Sequence, residues 1–339
     1  MQYTLTGMIS TRARFEGCML GLAVGDALGF PTEFRRREAI VAAFPPEGVT
    51  DFVGIQDPRW PKRPYIVGPA FPPGTWSDDT QMTLAVARGL LREPDAPLDV
   101  LMAHLAAEFV AWSQSPDNNR APGSTCMTGC QALAAGTPWH RAGVAESKGC
   151  GANMRVAPVG LLYQHDHARL LEVAAAQSRL THGHPTAVAA SQATALAVAL
   201  ACQGESPEAI HAALLAQFAR GDAALLAVLQ RVPEVLHLPP AQVLCEGCLG
   251  EGWIAEEALA GALYCFWRGG TDFGATVLAA ANTDGDSDSL ACIAGALSGA
   301  ANGVDAIVLR WRENVEGAGM VLELARSLCS ARVDKSVPV

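Results

Sequence analysis

Apolar residues recur along most of this chain at intervals of three and four, the spacing of a helix face rather than of a strand. "RFEGCMLGLAVGDALG" (14–29) carries the pattern with glycines at close-packing positions, and "DDTQMTLAVARGLL" (78–91) and "LDVLMAHLAAEFVAWSQ" (98–114) repeat it. So do "RLLEVAAAQSRLTH" (169–182), "TAVAASQATALAVALACQ" (186–203), "PEAIHAALLAQFAR" (207–220) and "AALLAVLQRV" (223–232). The last group is "AEEALAGALYCFWRGG" (255–270), "DFGATVLAAANT" (272–283), "SLACIAGALSGAANG" (289–303) and "GMVLELARSLCSA" (319–331). Strand-like alternation is nearly absent, no period repeats, and no charge-rich linker divides the chain. The expectation is an all-α fold, a single compact many-helix domain over residues 1–339. A Pro/Gly-rich stretch from Pro45 to Gly74 reads as a long loop, and loops of that length tend to be functional. A second irregular stretch runs from Ser113 to Gly123.

Composition narrows the function classes. Half of the 339 residues are hydrophobic, 6% are aromatic and 17% are charged, so the apolar mass is mostly small and suits close helix packing. The net charge is −10 and the longest basic block is the "RRR" at 35–37, which argues against nucleic-acid binding, where clustered basic residues must meet phosphates. An acidic site for a cation fits better. Ten cysteines are too few for a disulfide scaffold. Cys245 and Cys248 form a lone CxxC without the second pair that a zinc site needs. The N-terminus has no signal-like apolar core, and no run of about 18 apolar residues reads as a membrane span. A cytoplasmic, reducing compartment is expected, and no membrane or nucleic-acid partner.

Two acidic clusters stand out. In "GTWSDDTQM" (74–82) Ser77 is a good N-cap for a helix starting at Asp78, and acidic residues in a first turn favour the helix dipole. Adjacent carboxylates diverge by about 100° around a helix, so Asp78 and Asp79 cannot both serve one cap. The second cluster, "TDGDSDS" (283–289), also precedes a helix. As an EF-hand it fails, because the positions that need Gly and Glu hold Ser289 and Gly295. A phosphatase-type DxDx[TV] reading fails as well, since Leu290 ends the motif and no strand precedes it. Carboxylates and hydroxyls select hard cations. Together the clusters could hold two divalent ions about 4 Å apart, able to polarise an oxygen and orient a water.

With these motifs the sequence resembles the ADP-ribosylglycohydrolases, a family of all-α hydrolases with a dinuclear metal site. The resemblance covers roughly Phe15 to Glu313. Its segments, in order, are "GCMLGLAVGDALGFPTEF" (17–34), "GTWSDDTQM", "SKGCGANMRVAPVGL" (147–161), "THGHPTAVAAS" (181–191) and "DGDSDSLACIAGALSGAANG" (284–303). It implies Mg²⁺ or Mn²⁺ as a pair of bound cations. The ligands it implies are Ser77, Asp78 and Asp79 on one side and Asp286, Asp288 and Ser289 on the other. Asp284 stands where the family usually has glycine and is left out of that set. Glu33 falls where several members keep a glutamate, as acid/base or as a gate. Glu33 and Asp288 are therefore the candidate catalytic carboxylates.

The same resemblance makes the loop with Gly149, Cys150, Gly151, Asn153 and Met154 the substrate loop, with His182 near the diphosphate. Arg155 is open between an internal pairing with an acidic residue and a phosphate contact, and Asp26 fits a buried carboxylate holding the site's backbone. The HxH of His182 and His184 lacks a third soft ligand, so zinc is disfavoured. The implied activity is metal-dependent removal of ADP-ribose from a modified protein or small molecule by a chain for which a monomer is favoured. "NRAPGSTC" (119–126) and the serines at ligand positions look closest to the ADP-ribosylarginine hydrolases, while Glu33 resembles the nitrogenase-reactivating and serine-specific branches equally, so the resemblance favours an arginine linkage. Another linkage (serine, O-acetyl-ADP-ribose or a nucleobase) and a non-catalytic, crystallin-like binding role stay open at this level.

Overall fold

Ser10 starts the first helix: its hydroxyl accepts the amide of Ala13 at 3.1 Å, satisfying one of the free N–H groups of the opening turn. The same device recurs with Ser77, Asp166, Ser206, Asp222 and Asp272. The computed structural model describes residues 9–61 and 71–333. Among them the helices are α1 Thr11–Gly29, α2 Arg37–Ala43, α3 Asp78–Arg92, α4 Leu98–Ser113, α5 Ser124–Ala134, α6 Trp139–Ala142, α7 Ala157–Leu162, α8 His167–Arg179 and α9 Pro185–Gln203. The rest are α10 Pro207–Phe218, α11 Ala223–Arg231, α12 Pro240–Val243, α13 Ala255–Gly269, α14 Phe273–Ala281, α15 Ser287–Asn302, α16 Leu309–Asn314 and α17 Ala318–Val333. Strand pairing among the described residues is limited to two isolated bridges, Val144 with His182 and Gly149 with Ile254.

The all-α expectation holds, and each segment with helical spacing is a helix, its ends shifted by a few residues. Short helices such as α2, α6 and α7 went unread, because a turn or two of apolar periodicity does not stand out from a loop. Of the long Pro/Gly-rich stretch, residues 62–70 lie outside the described residues, as do residues 1–8 of the N-terminus. The described flanks of that stretch lack regular structure, and Trp60 there packs on Phe44 with ring centroids 4.5 Å apart. One helix, α9, is long and apolar enough to cross a membrane by composition, but 83% of its apolar window is buried against neighbouring helices. It is a core helix.

The centre of the fold is the pair α1 and α15, which run antiparallel with their backbones in contact. Every fourth residue of α1 from Gly17 to Gly29 is a glycine facing a small residue or bare backbone of α15. A Cβ on Gly21 would lie 2.5 Å from the carbonyl oxygen of Gly295, and one on Gly25 would lie 2.0 Å from that of Ala291. In return, a Cβ on Gly299 would meet the Gly17 oxygen at 1.9 Å. No side chain larger than hydrogen fits such an approach. From Phe15 onward every residue of α1 is buried, and α14 and α17 cover its other faces.

This pairing brings the end of α1 beside the start of α15. A third helix end joins them through Asp26 of α1. Its carboxylate accepts the amides of Ser77 at 2.8 Å and Thr80 at 2.9 Å, so the first turn of α3 hangs from α1. We expect Gly25→Val, which forces the two backbones apart, to cost about 3 kcal/mol. Urea denaturation would show this as a lower midpoint, and an unchanged midpoint would contradict the close contact.

Candidate active site

Two helix N-termini and one loop meet at a cavity of about 300 Å³. α3 supplies Asp78 and Asp79 in its first turn. α15 supplies Asp286 at its N-cap and Asp288 in its first turn. Both dipoles thus point their positive ends at the carboxylates. The loop after α1 supplies Glu33, and oxygen atoms of Glu33, Asp286 and Asp288 lie within 4.8 Å of one another. The hydroxyl of Ser289 donates to Asp79 Oδ2 at 2.9 Å, joining two clusters that are 210 residues apart in sequence. The divergence of Asp78 and Asp79 is realised: Asp79 turns to Ser289, and Asp78 Oδ2 accepts the amide of Gly123 at 3.3 Å.

All of these carboxylates are buried. Burial first, then the charges of Glu33, Asp79 and Asp286, pushes Asp288 well above the usual carboxylate range. Burial, followed by neighbouring carboxylates, does the same to Asp79, and burial raises Asp78 and Asp286 as well. Asp26 rises to about 6, burial outweighing the hydrogen bonds from Thr80 and Ser77. Like charges held this close in a dry site are costly unless a cation joins them. Oxygen donors with no imidazole among them suit Mg²⁺, Mn²⁺ or Ca²⁺. Glu33, Asp286 and Asp288 can hold one such ion, and the donor set fits a divalent metal.

The remaining candidates fall into two groups. Gly149, Cys150, Gly151, Met154 and His182 line the same cavity. Cys150 donates its thiol hydrogen to Asp286 Oδ2 at 2.8 Å, so the substrate loop rests on the acidic cluster. A Cβ on Gly151 would lie 2.8 Å from both Cys126 Sγ and His182 Cε1, which explains the glycine. Ser77 and Asn153 are not on the cavity wall. The Ser77 hydroxyl accepts the amide of Asp79, capping α3. Asn153, 1% exposed, turns away and donates to the carbonyl of Ala255, tying the loop to the start of α13.

Asp284 accepts the amide of Arg37 at 2.6 Å and so anchors the start of α2, away from the carboxylate cluster. His184 caps α9, its Nδ1 accepting the amide of Thr186, and does not converge with His182 on a metal. Arg155 finds no carboxylate among its hydrogen-bond partners, which are Gln177, Thr181 and the sulfurs of Met82 and Cys126; of the two roles left open for it, the internal pairing with an acidic residue is not formed. Cys245 and Cys248 are free thiols in a turn.

Sequence reading missed the aromatic rim. Phe34, 47% exposed and at φ 58°, stacks on Trp253 with centroids 4.9 Å apart and planes at 25°. Both rings line the cavity beside Glu33. Trp253 is held by Glu251, which accepts its indole N–H at 3.0 Å and pairs with Arg36 at 2.8 Å. A single Trp in "GEGWIAEE" carries no local signal, and only the position of Phe34 next to Glu33 pointed to the site.

Buried carboxylates gathered at helix N-termini around a ligand-sized cavity give this all-helical protein an acidic site able to hold a cation. A family model for the ADP-ribosylglycohydrolases matches residues 8–337, and the chain belongs to that family. It is 28% identical to ADP-ribosylarginine hydrolase Tri1 of Pseudomonas putida, over 93% of this chain and 77% of that protein. Identity is also 28% to the ADP-ribosyl-[dinitrogen reductase] glycohydrolase of Rhodospirillum rubrum, over 91% of this chain and 92% of that protein. A solved structure described as an ADP-ribosylglycohydrolase-related protein complex superposes with a TM-score of 0.75 at 30% identity, covering 95% of this chain and 99% of that one. The protein is therefore a hydrolase of ADP-ribosyl linkages, from a family that is generally metal-dependent.

The raised carboxylates set a pH signature with a definite sign. Without metal, the folded state keeps protons that the unfolded chain would release. Their stabilisation is complete below pH 3.8, the ordinary aspartate value, and for Asp26 it is lost as pH rises through about 6. For Asp78, Asp79 and Asp288 the loss continues above that. A cation binds only the deprotonated site, so its stabilising effect grows with pH. Added Mg²⁺ or Mn²⁺ at a hundredfold excess over Kd should raise Tm by about 5 °C at pH 8 and by much less at pH 5. Equal gains at both pH values in thermal melts would contradict this reading.

Proposed function

We propose that the protein removes ADP-ribose from arginine side chains, using two divalent cations, Mg²⁺ or Mn²⁺. Asp78 and Asp79 are the proposed ligands of one ion, with Ser77 capping their helix rather than ligating, and Asp286, Asp288 and Ser289 those of the other. The observation that carries this reading is the Ser289–Asp79 hydrogen bond, which makes one site of the two acidic clusters. When bound, the cations supply positive charge that polarises a ribose hydroxyl or a water.

The chain's own residues do the rest. The Gly149–Gly151 loop gives close backbone approach to the diphosphate, with His182 beside it. Glu33 or Asp288 takes a proton from the water that adds to the anomeric carbon of the distal ribose and returns one to the departing arginine nitrogen, as the bond between them breaks and positive charge develops on the ribose. The surrounding carboxylates favour that charge.

The arginine linkage is supported by the name of the Pseudomonas putida relative and by the cavity rim. The exposed face of Phe34 on Trp253 offers a flat aromatic surface beside the Glu33 carboxylate. A planar guanidinium leaving group stacks well on such a face.

Replacing Asp286 by Asn should reduce cation-dependent release of ADP-ribose from ADP-ribosylarginine to background while the circular dichroism spectrum stays native. Full turnover in that variant would overturn the proposal. Trp253→Ala should raise KM for the arginine substrate about fivefold, the worth of a cation–π contact near 1 kcal/mol, with kcat little changed. A panel of arginine, serine, O-acetyl-ADP-ribose and guanosine substrates would expose another preference as faster turnover of a different linkage. Binding of ADP-ribose with no turnover of any of them would point to a non-catalytic member.

A further inference from the structure

Arg155 is fully buried, and no acidic residue is among its hydrogen-bond partners. Its Nε donates to Gln177 Oε1 at 2.9 Å, and its Nη2 donates to the Gln177 carbonyl at 3.0 Å and to Thr181 Oγ1 at 2.8 Å. Phe109 covers one face of the guanidinium at 4.5 Å. Gln177 is itself fixed, donating to the Ala152 carbonyl at 3.0 Å and to Ser191 Oγ at 2.7 Å. A buried cation without a carboxylate is expensive to keep. Two weaker donations go to the sulfurs of Met82 and Cys126, and one branch, through Thr181, reaches the ring of His182.

The chain of donors settles where the protons lie. A guanidinium only donates, so Thr181 Oγ1 is the acceptor in its bond with Arg155. The one hydroxyl hydrogen of Thr181 then goes to His182 Nδ1, 2.8 Å away. Thr181 is fully buried. If His182 Nδ1 carried the proton instead, the Thr181 hydrogen would have no acceptor among the described residues, an arrangement buried hydroxyls avoid. A neutral imidazole that accepts at Nδ1 holds its hydrogen on Nε2.

That Nε2 faces the substrate loop, 3.1 Å from where a Cβ of Gly149 would be. The backbone is pinned from both sides. The His182 amide donates to the Ser178 carbonyl at 2.7 Å, and the Gly183 amide donates to the Val144 carbonyl at 2.9 Å. We infer that Arg155 and Thr181 are positioning residues that fix the tautomer of His182, so that its ring presents a single Nε2–H donor to the cavity.

Charge supports the same arrangement. Burial, and after it the Arg155 cation, hold the His182 pKa down at about 3, so the ring stays neutral at physiological pH. The other titratable groups that share the cavity with the ring are the aspartates Asp78, Asp79, Asp286 and Asp288, with Glu33, and the thiols of Cys126 and Cys150. Burial pushes Cys126 up to about 12 and Cys150 well above the usual thiol value, so both are neutral too. A neutral ring is not drawn towards the aspartates nearby and keeps its one hydrogen for an incoming acceptor. On the proposed function, on which this last step rests, that acceptor is a diphosphate oxygen of the substrate.

The test is ¹⁵N NMR of the full chain labelled at histidine, with the His182 signals assigned by their loss in His182→Gln. The expected result is a protonated Nε2 and an unprotonated Nδ1, unchanged between pH 8 and pH 5. Thr181→Val should keep the circular dichroism spectrum, abolish the fixed tautomer and raise KM about tenfold with kcat nearly unchanged, the loss of one oriented hydrogen bond. Thr181→Ser, which restores the hydroxyl, should rescue both. A proton on Nδ1, a ring that titrates within that pH range, or nitrogen shifts unaltered by Thr181→Val would overturn the inference. The spectra need no turnover, so a failed activity assay beside the expected spectra would count against the proposed function alone.

Discussion

The structure depends first on the contact between the backbones of α1 and α15. Helices normally pack with axes 8–10 Å apart because side chains intervene. Here the glycines of α1 bring carbonyl oxygens of α15 to within 2.5 Å of where a Cβ would stand. The loop that follows α1 and the turn that opens α15 are therefore fixed against each other. That places Glu33 beside Asp286 and Asp288. Asp26, one turn before the end of α1, adds the start of α3 to the same frame through two amide hydrogen bonds. Three helix ends converge because one helix pair leaves no slack.

Much of this was legible in the sequence, for physical reasons that differ by level. Long helices announce themselves through the spacing of apolar residues, and the "GxxxG"-like spacing in "EGCMLGLAVGDALG" already indicated close packing. The acidic clusters stood out because carboxylates sat inside apolar surroundings. Features set by tertiary contact alone did not show. The Ser77 cap was legible from its place before Asp78, but nothing local marks Asn153 as a tie to Ala255. Phe34 and Trp253 are 219 positions apart, and their stacking depends on how two loops meet. The partner of Arg155 was open between an acid and a phosphate, and the fold supplies Gln177 and Thr181 instead.

The site combines two opposite electrostatic solutions. On one wall, aspartates are crowded until burial and mutual repulsion lift them far from their ordinary range, a strain that a divalent cation relieves. On the other wall stands a histidine held at about 3 by burial and by the buried Arg155 behind it, so it carries no mobile proton. On the proposed function, acid–base work falls to the carboxylates, while the His182 side offers a fixed donor. Asp284, the member of "TDGDSDS" outside this cluster, serves the frame by capping the start of α2.

The central claim is that the two acidic clusters form one site for a pair of cations. Mn²⁺ titration of the metal-free chain, followed by electron paramagnetic resonance, tests it most directly. The account predicts two ions per chain with a spin-coupled spectrum, and loss of that coupling in Asp79→Asn. A single bound ion, or two whose spectra remain those of isolated Mn²⁺, would contradict it.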